Sequence, residues 1–318
     1  MEAPDPAERG GGRRIGLITL QLLVTVAVTV FLVRRLGVGL DDVRTLDPRW
    51  WRPDPTMLAA ASIVLFGGFV LSAALWARMA SEFGGPRVSV GRATSLFMTA
   101  NLGRYVPGKV WQILGLAYLS RSEGIGGVTA GTAAALGQVF ALSGAAVIGA
   151  GVLVGSPRYA WVALTSVVLL VVIAAAWAWG PVRRRALRFL SRWTGVAESE
   201  FHVGPGFGVR WAILYTVNWG IYAASFWLFV RCYEPSIGFA QVGPPFAAAY
   251  LLGYLFLPAP AGLGVREAVL VTFLAPALGA GAVAIAVTAR LWMTVVEVVP
   301  AVLMAPGQLR RSSPGGPS

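Results

Sequence analysis

Two stretches of this chain place charge inside apolar sequence, and each is marked by Pro and Gly. The first reads Gly103-Arg104-Tyr105-Val106-Pro107-Gly108-Lys109, the second Pro258-Ala259-Pro260-Ala261-Gly262-Leu263-Gly264-Val265-Arg266-Glu267. Gly103 to Lys109 matches a nucleotide-binding G-x-x-x-x-G-K loop up to its last position, where Ser or Thr must ligate magnesium. That position is Val110, no strand pattern precedes it and no second acidic motif follows, so the match weighs against nucleotide chemistry. A simpler chemistry remains. Pro is favoured at a helix start, and the free N–H groups there carry partial positive charge, so Pro107-Gly108 opens a half-helix from about Val110 to Leu119 with Arg104 and Lys109 beside it. The second break repeats the design: Gly262 and Gly264 permit unusual backbone angles, a half-helix begins near Val265, and Arg266 supplies the cation. Each is a candidate anion site, and in a membrane the nearest anion is a lipid phosphate.

Other polar residues in apolar surroundings could line such a site. A charge at the centre of a membrane helix costs about 2.5–3.5 kcal/mol on insertion scales, so Lys109, Arg266, Glu267, Arg290 and Glu297 each require a reason. For Lys109 the bland reason is snorkelling to the interface, and for Arg266 with Glu267 it is an internal salt bridge. Arg290 and Glu297 lie two turns apart on one helix face, so Glu297 could partner Arg266 or Arg290, and Glu267 or Glu297 could serve either proton coupling or a structural ion pair. Asn101, Tyr105 and Gln112 flank the first break as polar lining, while Gln138 and Asn218 read as interhelical hydrogen-bonding groups. One cysteine, Cys232, and one histidine, His202, support neither a disulfide framework nor a His/Cys metal site. No cofactor motif, paired carboxylates or activated nucleophile is present, so the expectation is a non-enzyme without metal or cofactor.

The elements that must hold these residues follow from composition. Of 318 residues, 56% are hydrophobic and only 13% charged, about half the charge a soluble domain uses to cover its surface. The chain reads as an all-α polytopic membrane protein, and its net charge of +12 sits between apolar runs, where it orients spans and meets anionic headgroups rather than nucleic acid. Uninterrupted spans are expected at Ile15 to Val33, Met57 to Ala77, Gly127 to Val154, Tyr159 to Gly180, Trp211 to Val230 and Ala282 to Ala305. Gly127/Gly131 and Gly151/Gly155 have the small-xxx-small spacing of close helix contacts. Ala93 to Tyr118 and Phe239 to Gly281 are each two apolar halves around a break, the pattern of a re-entrant hairpin lining a cavity. With the N-terminus inside, the inner segments hold 15 basic residues and the outer ones 7, and four (Arg104, Lys109, Arg266, Arg290) lie within membrane segments. The first hairpin then enters from the cytoplasm and the second from the opposite face, an inverted repeat of the kind transporters use. Residues 1–14 and 306–318 read as disordered cytoplasmic tails around a single membrane domain, 15–305, and the basic run at 183–192 as an amphipathic helix along the inner leaflet. Only Lys109 interrupts an otherwise all-Arg basic set, a bias suggesting a GC-rich genome and a bacterial plasma membrane.

Asn101-Leu-Gly-Arg-Tyr-Val-Pro-Gly-Lys-Val-Trp111, the following Leu119-Ser-Arg-Ser-Glu-Gly124, and Leu257-Pro-Ala-Pro-Ala-Gly-Leu-Gly-Val-Arg-Glu267, together with the late Arg290, resemble the lysylphosphatidylglycerol synthase transmembrane-region family, the flippase-like domain proteins. The resemblance covers about Ile15 to Ala305. It implies a helical membrane domain with re-entrant segments, which in some members translocates an aminoacylated phospholipid made by a separate soluble synthase domain; the chain looks like the membrane domain alone. Where the family often has Pro-Gly-Arg-x-Gly-Glu, Lys109 replaces the Arg and Trp111-Gln112 replace Gly-Glu; at the second break Ala261 takes a position usually Gly. With that carboxylate absent, an anionic phospholipid or a polyprenyl-phosphate-linked lipid fits the basic breaks better than a lysylated headgroup. The resemblance implies a lipid translocator binding phosphate through Arg104, Lys109 and Arg266, or a non-catalytic membrane partner of a glycosyltransferase or lipid-modifying synthase.

Overall fold

The computed structural model describes residues 48–105, 110–154, 179–194, 203–255 and 264–311. Among them every regular element is helical: α1 Pro55–Glu82, α2 Val90–Asn101, α3 Trp111–Leu119, α4 Gly127–Gly149, α5 Gly151–Val154, α6 Gly180–Thr194, α7 Phe207–Arg231, α8 Phe239–Leu255, α9 Val265–Leu278 and α10 Gly281–Arg311. α1, α4, α7 and α10 are long and apolar enough to span a membrane, matching four of the six expected spans. The expected span Ile15 to Val33 lies outside the described residues, as does Tyr159 to Gly180 except for its last two residues.

These helices are apolar on all sides, which a soluble bundle would not tolerate. Ile63, Ile213, Val139 and Leu303 face outward although they are among the most hydrophobic residues present, and lipid is the solvent that makes this cheap. Inside, aromatic rings do much of the packing: Phe226 stacks on Phe246 at 4.4 Å between ring centres, joining α7 to α8, and Phe229 on Trp292 at 4.5 Å, joining α7 to α10. α1 and α7 are cross-linked near mid-length by a polar chain in which Asn218 Nδ2 donates to Ser72 Oγ (2.7 Å), itself 2.8 Å from the Tyr222 hydroxyl. Asn218 is thus the interhelical hydrogen-bonding group its setting predicts. Gly127 and Gly131 lie against α3 and Gly151 against Pro244 of α8, so these small residues mark close contacts, as expected.

The ends of the bundle can be told apart by charge. At one end lie the start of α1, capped by Asp54 accepting from the N–H groups of Thr56 and Met57, and the end of α7, where Asp54 N–H donates to the Cys232 carbonyl. Trp50 stacks on Tyr233 there and lies against Gly281, so α10 also begins at this end. The other end collects the end of α1, the start of α2 and the start of α7, with Arg78, Arg87, Arg92 and Arg210. α6 joins it through Leu187, which packs on the cluster holding Phe83, Phe207 and Trp211, while its Arg184, Arg185 and Arg188 stay exposed. α6 is therefore the amphipathic basic helix that the 183–192 run predicts.

One boundary differs from expectation. Composition predicts a tail from residue 306, but α10 continues through Arg311. Gln308, Leu309, Arg310 and Arg311 are good helix formers, and cations suit the negative end of the helix dipole.

Candidate functional site

The first break sits at the tip of a hairpin formed by α2 and α3. Both helices are too short to cross a bilayer, at 12 and 9 residues, and they run side by side in opposite directions. Their open ends are tied at the basic end, where Arg92 Nη1 donates to Glu123 Oε2 at 2.7 Å. Along the stem Ala100 meets Gly115. Near the tip a side chain on Gly103 would put its Cβ 2.9 Å from the carbonyl carbon and oxygen of Trp111, backbone that cannot yield, so glycine is what allows the two limbs to close. Beside that contact Gln112 Nε2 donates to Asn101 Oδ1 at 2.5 Å, and Asn101 is wholly buried with its Nδ2 lacking an acceptor among the described residues. The chain after Asn101 tightens into a 3-10 turn, Leu102–Tyr105, which carries Arg104 and Tyr105 up to the break. Pro107, Gly108 and Lys109 lie outside the described residues.

The second hairpin, α8 and α9, enters from the opposite end. α8 starts just after α7 finishes, held by Trp227 Nε1 donating to the Ile237 carbonyl, and α9 ends at Leu278, one turn before α10 begins against Trp50. Pro258, Pro260 and Gly262 lie outside the described residues, but Gly264 closes the break with φ 91°, a conformation that only glycine adopts without strain. α9 starts at the next residue, as the sequence predicts.

Glu267 is clamped from two sides. Its Oε2 accepts from the Gly264 N–H at 2.9 Å, capping α9, and its Oε1 accepts from Arg290 Nη1 of α10 at 3.1 Å, the two side chains being 12% and 11% exposed. Arg266 turns the other way. Its guanidinium lies over the Phe246 ring at 5.2 Å, and Nη2 reaches Met293 Sδ at 2.9 Å; its Cβ packs where Gly253 of α8 leaves room. Arg266 thus lies against the Phe246 ring and the Met293 sulfur, while the neighbouring carboxylate serves Arg290. Of the two bases considered as partners for Glu297, Arg290 pairs with Glu267. Glu297 is buried, 5% exposed, two turns further along α10.

The structure thus brings Gly264, Arg266, Glu267 and Arg290 into one cluster and Asn101 with Gln112 into another, and both α2 and α9 pack on α10. Reading the sequence for charges missed the groups that shape these sites: Gly103 and Gly253 as contact surfaces, and Phe246 and Met293 as the bed of Arg266. Only Gly103 carried a signal, as an odd glycine two residues past a polar Asn. Among the described residues no group of three or more His, Cys, Asp or Glu is placed to hold a metal.

A family model, lysylphosphatidylglycerol synthase TM region, matches residues 18–301, nearly the whole chain. No curated protein and no solved structure gives a match.

Proposed function

Because the chain belongs to the lysylphosphatidylglycerol synthase transmembrane-region family, we propose that this multi-pass membrane protein is a flippase-like translocator moving an anionic phospholipid or a polyprenyl-phosphate-linked lipid between leaflets. The observation that carries the reading is the pair of short-helix hairpins entering from opposite ends, each with a glycine at its tip and basic residues at or beside its break. A polar headgroup crossing hydrocarbon needs donors and cations at depth. Helix starts opening at mid-depth supply N–H groups, and Arg104, Lys109 and Arg266 supply charge. The Glu267–Arg290 clamp fixes how α9 leans on α10 and so sets the position of the second tip. The basic end, with its arginines on α1, α2, α6 and α7, is the cytoplasmic face by the positive-inside rule.

The test is leaflet exchange in vesicles containing the purified protein and fluorescent phosphatidylglycerol, read by quenching from one side. Lys109→Ala and Arg266→Ala are each expected to slow exchange about tenfold or more, the effect of losing one charge-assisted hydrogen bond. Exchange at the unaltered rate in both variants refutes the assignment.

A further inference from the structure

At the basic end, away from either break, a cleft of about 480 Å3 opens between the end of α1, the start of α2 and the start of α7. That volume is within the range of small-molecule sites. Three guanidiniums line its mouth, Arg78, Arg87 and Arg210, and its wall runs down α1 through Leu75 to Ala74, with Leu214 of α7 opposite. From Glu82 to Ala74 is eight residues of helix, about 12 Å of descent from charge to hydrocarbon.

The cations are organised by one buried acid. The Glu82 side chain, 9% exposed, accepts from Arg210 Nη2 at 2.6 Å and Trp211 Nε1 at 3.2 Å on Oε2, while Arg78 Nε stands 3.7 Å from Oε1. One carboxylate therefore holds two arginines in place, and Arg87 on the opposite lip has no ion pair among the described residues, which leaves the mouth with a surplus of two positive charges. α6 sets the level of this mouth. Its exposed Arg184, Arg185 and Arg188 ride on an apolar face docked beside Phe207 and Trp211, as an amphipathic helix lies in the headgroup layer.

We propose that this cleft is a lipid site: it holds the headgroup phosphate of an anionic phospholipid from the adjoining leaflet between Arg87, Arg78 and Arg210, with the upper acyl chains against its apolar wall. A free phosphate would use the mouth and leave the wall empty; a lipid uses both. The site is independent of the mid-depth breaks and of whether they carry a lipid across.

The full chain, extracted from vesicles of phosphatidylcholine doped with phosphatidylglycerol, is weighed with its retained lipids by native mass spectrometry. The unaltered protein is expected to retain phosphatidylglycerol over phosphatidylcholine, and Arg87→Gln, an exposed substitution that breaks no ion pair among the described residues, to reduce that preference about fivefold. Arg52→Gln removes the same charge at the opposite end and is expected to leave it unchanged. Equal loss in both variants, or in neither, overturns the proposal. Loss of phosphatidylglycerol on adding inorganic phosphate also overturns it, assigning the mouth to a soluble anion. The two readings fail separately, since leaflet exchange in Lys109→Ala and Arg266→Ala bears on the breaks, whereas the difference in retention between Arg87→Gln and Arg52→Gln bears on this cleft.

Discussion

Replacing Glu267 by Gln tests the clamp that sets the second tip. The carboxylate answers two donors at once, the Gly264 N–H through Oε2 and Arg290 through Oε1. An amide has one acceptor oxygen, so the substituted side chain can cap α9 or face Arg290, and whichever it chooses, its NH2 is turned toward the other donor. At 3.1 Å the pair attracts by about 5 kcal/mol with an effective dielectric constant near 20, in line with the 3–5 kcal/mol lost when one partner of a buried pair is removed. Glu267→Gln is therefore expected to cost about 3 kcal/mol or more, a fall in the unfolding midpoint on the order of 5–10 °C. Cys232 is the protein's own reporter, being the single thiol and buried, so a thiol-reactive fluorogenic dye reads unfolding in detergent without added labels. Arg290→Met is expected to cost a similar amount. The double variant keeps neither charge and is expected to recover most of one penalty, a coupling of about 3 kcal/mol across the cycle. If the two single penalties simply add, the charges are not coupled and the clamp does not position α9.

Three further outcomes follow from the geometry. Gly103→Ala and Gly264→Ala are each expected to destabilise by about 1–3 kcal/mol, one by driving a Cβ into the Trp111 backbone and the other by forcing φ 91° on a side chain, whereas Gly67→Ala, with open space around it, is expected to be neutral or slightly stabilising in the same dye assay. Burial pushes the Cys232 thiol up to about 11, with Asp54 adding to the shift, so the neutral form dominates and native protein is expected to resist maleimide at pH 7; labelling should accelerate as pH rises toward that value, and fast labelling of folded protein at pH 7 would contradict the burial. In intact cells an impermeant maleimide is expected to modify Ser236→Cys directly and Ser89→Cys only after permeabilisation, and the reverse result would invert the orientation.

Much of this architecture was legible because hydrocarbon imposes a length and a polarity that a linear reading can check. Spans appeared as uncharged runs, and the hairpins as runs whose Pro, Gly and charge could not lie in a continuous helix. The half-helix start near Val265 was readable because Gly262 and Gly264 mark a break in the chain, a local signal. Partner choice was not readable. Glu267 pairs with Arg290, 23 residues on, because successive residues on a helix point about 100° apart and only the rotation of α9 against α10 decides which reaches which. The Glu82 cluster shows the same limit. Its Arg78 contact is an i,i+4 pair visible in sequence, while its short bonds go to Arg210 and Trp211, 128 and 129 residues away.

The placement of the acids explains why cations dominate the chemistry. Glu82, Glu123 and Glu267 each accept from an arginine, and each ties together elements distant in sequence: α1 to α7, the two limbs of the first hairpin, and α9 to α10. Carboxylates committed in this way act as fasteners: the Glu267–Arg290 pair is largely buried on both sides, while Glu82 and Glu123 are acids with buried side chains that hold half-exposed arginines. Arginines outnumber these acids, and the surplus is not spread evenly. It gathers at the basic end, where Arg78, Arg87 and Arg210 line one cleft with Glu82 as its single acid. A relay built on Glu267 would have to break both of its bonds at each cycle, so under the proposed function this carboxylate is better placed to fasten α9 to α10 than to drive transport.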